Sequence, residues 1–300
     1  MIARAMAPIA CVRAVAGLAA LLLVFAGSAA RADTVEQRFA APARCRRVTL
    51  AAGSYGDYLR RLPLKPEGSK VHDHSGQVVQ WGSALGAVLD VDLIKTSRWS
   101  DLQQCADLAL RLWAEYRWSK KTADTLTFTL QNGQSLSWNS WRSGIRGRVI
   151  ANRHRFFRTA KPDASYRNFR AYLGYVMTWL GSAGLKAYAA PVKEADLAVG
   201  DLYVQNQTGA IGHASIIVDL CEKGTEKGTE APERGAEVRE IKGAKAGTEV
   251  LFLVAQSYMP AQEGQVMLPA AGEGEGAWFT LEGLKRHQQH FGDGVFRRLR

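Results

Sequence analysis

The chain has 300 residues, of which 47% are hydrophobic and 22% are charged. This balance is typical of globular proteins and excludes disordered and collagen-like chains. The formal net charge of +11 favours anionic partners, such as peptidoglycan peptides, acidic lipid headgroups or nucleic acid, without choosing among them.

The first 32 residues have the pattern of a cleaved signal peptide. Arg4 and Arg13 precede an apolar run at residues 14–26, and residues 30–32 (Ala-Arg-Ala) match an A-x-A cleavage site. The apolar run is shorter than the roughly 20 residues that a membrane-spanning helix needs, and no second candidate follows. We therefore predict a periplasmic or secreted protein with no membrane span in its mature form. Export also disfavours nucleic acid as the partner.

Residues 33–300 contain no linker rich in proline or serine, so we predict one domain. Its first elements are a short helix from Tyr55 to Arg61 and a hairpin through His72 and Gln80. Ser100 to Gln103 match a capping box, which predicts a helix that runs to about Trp118. Residues 126–130 and 135–138 flank an Asn-Gly turn, so a second hairpin is expected there.

The second half of the chain predicts one long helix and two buried strands. The helix extends from about Tyr166 to Tyr188, and the strands at residues 214–220 and 250–255 are expected to pair antiparallel. Between them, residues 222–249 contain Lys-Gly-Thr-Glu twice and few apolar residues, which indicates a solvated loop. Helices and antiparallel hairpins in this order predict an α+β domain.

Cys105 and His213 are the candidate chemical groups. Cys105 falls near the start of the helix predicted after Ser100, where free backbone amides and the helix dipole would lower the pKa of a thiol. The alternative is a small core residue, because Cys105 shares the apolar face with Ala109. His213 lies where a glycine-containing loop enters a strand, a suitable place for a general base. The next strand ends at Gln256.

This order of residues resembles that of the papain-like, NlpC-type cysteine peptidases and amidases of bacterial envelopes. The resemblance implies a papain-like core, in which a cysteine-bearing helix packs on an antiparallel, barrel-like sheet with insertions. It implies that Cys105 is the nucleophile, that His213 is the base, and that Gln256 orients the imidazole. The backbone amide of Cys105, with Gln103 or Gln104, would hold the oxyanion. For both glutamines, a role in capping or on a solvated face is the alternative.

A closer resemblance covers most of the mature chain. It rests on five segments, at residues 62–66 (LPLKP), 101–107 (DLQQCAD), 200–202 (GDL), 212–214 (GHA) and 255–262 (AQSYMPAQ). They resemble an uncharacterised bacterial family, the domain of unknown function 4846. That family supplies no established activity, so the peptidase interpretation depends on the order of the motifs and on their chemistry.

Three cysteines remain after the predicted cleavage, and they contain no Cys-x-x-Cys motif. A structural zinc site therefore has little support, and we predict neither a metal nor another cofactor. If Cys105 must stay reduced, Cys45 and Cys221 are left to form a disulfide in an oxidising compartment. Two free surface thiols are the alternative.

Residues 141–170 hold nine basic side chains and one acidic side chain, with aromatic residues interleaved. We predict that Arg142, Arg146, Arg148 and Trp141 hold the anionic groups of a substrate, and a solvated basic face is the alternative. Two functions follow. The first is an exported cysteine hydrolase or acyltransferase that acts on an envelope amide or ester, such as a peptidoglycan peptide. The second is a non-catalytic envelope protein that binds anionic ligands on this basic, aromatic-rich surface.

Overall fold

A computed structural model describes residues 33–96, 100–130, 133–151, 153–206, 211–224 and 249–300. The predicted signal peptide lies outside these ranges, as do the Asn-Gly turn residue Asn132 and residues 225–248 of the predicted solvated loop. Within the described ranges, every helix is too short or too polar to cross a bilayer.

The helices of the described residues are α1 (Val35–Arg38), α2 (Tyr55–Arg60), α3 (Cys105–Ser119), α4 (Trp138–Arg142), α5 (Tyr166–Tyr188) and α6 (Leu281–His287). Short 3₁₀ turns lie at Gly82–Ala84, Ala123–Thr125, Glu194–Asp196 and Gln289–Phe291. The predicted helices α2 and α5 are confirmed. Ser165 caps α5 by accepting the N–H of Asn168 at 3.2 Å. Gly181, with φ of 59°, places a kink inside the same helix.

The strands are β1 (Cys45–Arg47), β2 (Val71–His72), β3 (Val78–Val79), β4 (Leu85–Val88), β5 (Thr127–Thr129), β6 (Ser135–Ser137), β7 (Ile145–Ile150), β8 (Arg153–Arg158), β9 (Ala190–Pro191), β10 (Leu202–Gln205), β11 (His213–Lys223), β12 (Glu249–Gln256), β13 (Gln265–Met267), β14 (Gly274–Glu275), β15 (Trp278–Thr280) and β16 (Gly294–Arg298). The predicted hairpins β2–β3 and β5–β6 and the antiparallel pair β11–β12 are confirmed. The hairpin β7–β8 lies in the basic stretch and was not predicted.

Ten strands form one antiparallel sheet with the central order β14-β15-β12-β11-β10-β16-β9. Strand β1 pairs with β11, and β13 joins β12 to β4. The end strands β14 and β9 are two residues long and do not pair with each other, so the described sheet is open. The α+β class is therefore confirmed. The barrel-like sheet that was expected is not observed, because the described strands form an open sheet.

Strand β11 is buried on both faces, as its continuous apolar run predicted. Ile216 and Val218 belong to the core that includes α3 and α5, whereas Ile217 and Leu220 face a smaller core that includes α6. Burying each such side chain contributes about 1.5–3 kcal/mol. This packing fixes the start of β11, where His213 lies.

Strand β1 is tied to β11 covalently and by charge. Cys45 and Cys221, the two cysteines left to pair by the sequence argument, are joined in a disulfide. A bulge in β11 precedes Asp219, whose fully buried carboxylate accepts Arg47 Nε at 2.7 Å and Arg60 Nη2 at 2.6 Å. Because Arg60 lies on α2, these contacts join β1, α2 and β11.

Candidate active site

Helix α3 begins at Cys105, later than the sequence predicted. The predicted capping box at Ser100 to Gln103 is wrong, because Asp101 Oδ1 accepts the backbone N–H of Ala261 at 2.7 Å in a different loop. The observed cap is Gln104, whose N–H donates to Asp107 Oδ2 at 3.1 Å. Cys105 is thus the first helical residue, where backbone N–H groups have no partner inside the helix.

The thiol of Cys105 is free, buried and close to the start of β11. Its Sγ lies 4.0 Å from the carbonyl oxygen of Gly212. Burial raises the pKa of the thiol to about 11, although backbone N–H groups, first among them that of Ala214, favour the thiolate. The expected lowering of this pKa by the helix start is therefore wrong, because withdrawing the thiolate from water outweighs the amides that face it.

His213 is buried and its ring is held on two sides. Nε2 lies 2.8 Å from Gln256 Oε1, an atom that only accepts, so Nε2 carries the proton and Nδ1 is left as the acceptor. The ring stacks on Phe291 at 4.3 Å and lies 5.7 Å from the ring of Tyr258. Burial lowers the pKa of His213 to about 4, which makes the imidazole neutral at pH 7.

A buried polar network orients Gln256. Gln288 Nε2 donates to Gln256 Oε1 at 3.5 Å, while Gln288 Oε1 accepts from Ser215 Oγ at 3.2 Å. Gln205 Nε2 donates to the Gln288 carbonyl at 2.7 Å. Ser215 and Gln205 thus hold Gln288, and Gln288 and His213 both donate to Gln256 Oε1, so this oxygen is turned toward His213. The sequence argument missed Gln288 and Phe291, which follow α6 in a segment with no motif to single them out.

The structure brings the three predicted groups into one region. His213 contacts Gln256 directly, and the Cys105 sulfur lies against the backbone of residues 212 and 214, which flank His213. The first turn of α3, the start of β11 and the end of β12 therefore converge. This convergence places a buried thiol against the backbone on either side of His213, whose neutral imidazole has one nitrogen that can accept a proton.

The two predicted oxyanion glutamines differ: within the described ranges, the side-chain Nε2 of Gln103 is buried without a partner, whereas that of Gln104 is bound. Gln103 is fully buried, and its Oε1 accepts from Arg111 Nη1 at 2.8 Å and from the Ile94 N–H at 3.2 Å. Gln104 Nε2 donates to Asp101 Oδ1 at 3.1 Å. By contrast, burial and then the nearby Cys105 raise the pKa of Tyr258, which places its hydroxyl within electrostatic reach of the sulfur.

The predicted basic residues are divided among three environments. Arg142 pairs with Asp124 at 2.8 Å. Arg146 lies 4.2 Å from the centre of the Trp141 ring and donates to backbone carbonyls and to Asn168, with no ion pair to a described carboxylate. Arg148 is exposed. Only Arg146 therefore combines fixed geometry with an unpaired charge.

A groove of about 830 Å³ lies between β7 and α5. Its lining includes the predicted Trp141, Arg146 and Arg148 together with Tyr175 and Trp179, and it contains no Asp or Glu. Helix α5 connects this groove to the site. A Cβ at Gly174 would lie 3.5 Å from Leu102, and a Cβ at Gly212 would lie only 2.0 Å from Ser182 Oγ. Gly212 thus permits the close approach of α5 to β11.

Within the described ranges, no cluster of three or more His, Cys, Asp and Glu side chains has the arrangement that a metal ion needs. His72 and His74 are two residues apart, and both belong to the β2–β3 hairpin and its turn. Asp73 Oδ1 accepts the N–H groups of Ser75 at 2.8 Å and Gln77 at 2.9 Å. These contacts account for the polar residues of that hairpin.

His213 is expected to make the folded protein less stable in acid. The folded pKa of about 4 lies below the ordinary value of 6.5, so the unfolded chain binds more protons between these values. The contribution of neutral His213 to the free energy of unfolding is therefore fully present above pH 6.5. It falls by about 3 kcal/mol as the pH drops to 4. Urea unfolding of wild type and His213→Gln from pH 7 to 4 measures this loss. A difference between the two proteins that stays constant with pH would contradict the prediction.

Comparison with known proteins gives one family and no characterised relative. A protein-family model with the description "Domain of unknown function (4846)" matches residues 35–230. No curated protein and no solved structure matches the chain. The family match covers Cys105 and His213 but ends before Gln256, and it lends no support to the resemblance to NlpC-type peptidases.

Proposed function

Because the chain belongs to the domain of unknown function 4846 family, whose description assigns no activity, we propose a function from the site itself. The protein is an exported cysteine hydrolase or acyltransferase that acts on an amide or ester of the cell envelope, such as a peptidoglycan peptide. Cys105 is the nucleophile, His213 the general base, and Gln256 the positioning residue. In this proposal the cysteine helix and the strands that carry His213 and Gln256 form a papain-like core.

The observation that carries the proposal is the hydrogen bond between His213 Nε2 and Gln256 Oε1. It leaves Nδ1 unprotonated, and the Cys105 sulfur contacts the backbone of the residues on either side of His213. Both groups are neutral at pH 7, because burial raises the pKa of the thiol and lowers that of the imidazole. The proton therefore moves from Sγ to Nδ1 as the sulfur attacks the carbonyl carbon, rather than before the attack.

The attack forms a tetrahedral oxyanion, and two donors of the site are suited to it. One is the backbone N–H of Cys105 at the start of α3, where the helix dipole also favours negative charge. The other is the Tyr258 hydroxyl or the side-chain Nε2 of Gln103, which is buried without a partner within the described ranges, whereas Gln104 Nε2 is bound to Asp101. Collapse of the oxyanion expels the amine or alcohol, which takes the proton from His213. Water or an acceptor amine then releases the acyl group from Cys105.

The groove between β7 and α5 is the proposed substrate-binding region, with Arg146 as its anion-binding side chain. Arg146 uses three N–H groups on neutral acceptors and lies over Trp141. Its charge is therefore held in place without being neutralised by a carboxylate, which favours a substrate carboxylate or phosphate. An envelope location also suits the Cys45–Cys221 disulfide, since disulfides persist in oxidising compartments.

The function is tested by incubating the mature protein with purified peptidoglycan and separating the soluble products by mass spectrometry. We expect fragments with a newly cleaved or exchanged amide bond. We also expect acid-quenched protein to carry the acyl group on the peptide that contains Cys105. Heat-inactivated protein is the control for spontaneous hydrolysis. Products formed without any adduct on Cys105, even after rapid quenching, would contradict the nucleophile, and the absence of products would contradict the substrate class.

A second function, the binding of anionic envelope ligands without chemistry, is favoured by the groove. Its lining includes arginines and aromatic side chains but no acidic residue, whereas Cys105 is buried and its thiol is protonated at pH 7. The binding function requires peptidoglycan fragments to bind with strong salt dependence and to be recovered chemically unchanged. Recovery of cleaved fragments excludes it.

A further inference from the structure

The hairpin β7–β8 has two faces with different surroundings. Side chains alternate along each strand, so the register places six of them together on one face of the hairpin. We call this set the outer face. It consists of Arg146, Arg148, Ile150, Arg153, Arg155 and Phe157, of which Arg146 turns onto Trp141 and Asn168 and the other five are exposed. The opposite face packs on α5, where His154 Nδ1 lies 2.9 Å from the Tyr175 hydroxyl. A Cβ at Gly147 would lie 2.1 Å from the same hydroxyl, so α5 covers that face at Gly147.

The outer face carries positive charge that no described carboxylate balances. Residues 145–158 contain five arginines and no acidic residue. Arg148 and Arg155 stand directly opposite each other in the register, at a spacing of about 5 Å between Cβ atoms, where like charges destabilise a hairpin. Neither these two nor Arg153 forms an ion pair within the described ranges. An arrangement that costs stability in the free protein favours an anionic partner.

The same face also exposes apolar side chains. Ile150 is 50% exposed and Phe157 is 44% exposed, although large apolar side chains are usually covered. A soluble polyanion offers phosphates to the arginines but gives Ile150 no apolar surface to enter. An anionic lipid surface offers both, because its headgroups carry phosphate and the acyl boundary lies about 5–10 Å below them.

We propose that the outer face docks the protein on an anionic phospholipid surface. Arg148, Arg153 and Arg155 contact lipid phosphates, and Ile150 and Phe157 enter the boundary between headgroups and acyl chains. This interaction does not involve Cys105 or His213, so it stands apart from the proposed function. Arg146 shares this face and, like Arg148, lines the groove, but its guanidinium is held against Trp141 and Asn168, so the lipid contacts are assigned to the exposed arginines.

The test is flotation of the mature protein with phosphatidylcholine vesicles that contain about 30% phosphatidylglycerol. Each arginine near such a surface strengthens partition about fivefold, so Arg148→Gln with Arg155→Gln should weaken it by about 25-fold. This double variant is expected to fold, because it removes a like-charge pair from the hairpin. The matched control is Arg46→Gln with Lys70→Gln, which changes the net charge equally at exposed positions outside the hairpin.

We expect the control variant to bind as wild type does, and vesicles of phosphatidylcholine alone to bind neither protein. Ile150→Ser with Phe157→Ser should weaken partition at least tenfold, by about 1.4 kcal/mol or more, in high salt, where the charge contribution is screened. Equal loss in the Arg46 and Lys70 variant would overturn the proposal, since net charge alone would then explain binding. Release of wild type from vesicles by single-stranded DNA at equal phosphate concentration would also overturn it, in favour of nucleic acid.

Discussion

Cys105→Ala is expected to lower the rate of amide cleavage by at least about 1000-fold, because it removes the atom that forms the acyl bond. The fold should persist, since alanine fits the space of a small buried side chain at the start of α3. The measurement is the initial rate of product release from peptidoglycan, with thermal unfolding and circular dichroism recorded on the same samples. A folded Cys105→Ala protein with wild-type turnover would exclude the cysteine mechanism.

Two companion variants separate the nucleophile from its activation. His213→Ala should lower Cys105 acylation by p-nitrophenyl acetate by about 100- to 10,000-fold, the usual contribution of a general base. Gln256→Leu removes the acceptor for Nε2–H but retains the imidazole, so its rate should fall less, and the pH dependence of the remaining rate should change. If His213→Ala acylates at the wild-type rate, the imidazole does not serve as the base and Cys105 reacts without it.

The secondary structure that the sequence predicts best is that with a strong local pattern. The apolar spacing of α5 and the β-branched runs of β11 and β12 each bury residues continuously, so periodicity alone locates them. Helix α3 shows the limit of this reasoning. Asp101 matches a first-turn residue in sequence, but its carboxylate binds the backbone of Ala261, a contact between segments far apart in the chain. A contact of that kind has no local signal.

The hairpin β7–β8 was missed because its alternation is concealed by charge. Strand patterns are recognised when apolar and polar residues alternate, but here four of the six outer-face residues are arginines, and the inner face mixes small, apolar and aromatic residues with one arginine. The pattern of period two is present, with Arg146, Arg148 and Ile150 on one side. The high charge of this segment indicated a solvated surface and hid the strand pattern.

The site was partly predictable because its cysteine, histidine and glutamine each lie at the end of a predicted helix or strand. What the sequence could not indicate is burial. Cys105 and His213 lie at the junction of α3 with the central sheet, where both lose contact with water, and their pKa values move apart instead of together. The surrounding Gln288, Phe291 and Tyr258 come from other segments, and only the folded chain brings them to His213.

Asp219→Ala is expected to reduce the free energy of unfolding by about 3–5 kcal/mol. The carboxylate is fully buried, and its two oxygens accept from Arg60 and Arg47 at 2.6–2.9 Å. Alanine leaves the buried Arg60 guanidinium without a counter-charge and also removes the acceptor of the Leu220 N–H. Urea denaturation with the Cys45–Cys221 disulfide intact measures the loss.

The matched control is Asp124→Ala, which breaks an exposed ion pair with Arg142 and should cost less than about 1 kcal/mol. Equal small losses in both variants would show that the Asp219 cluster is not what holds β1 and α2 on the central sheet.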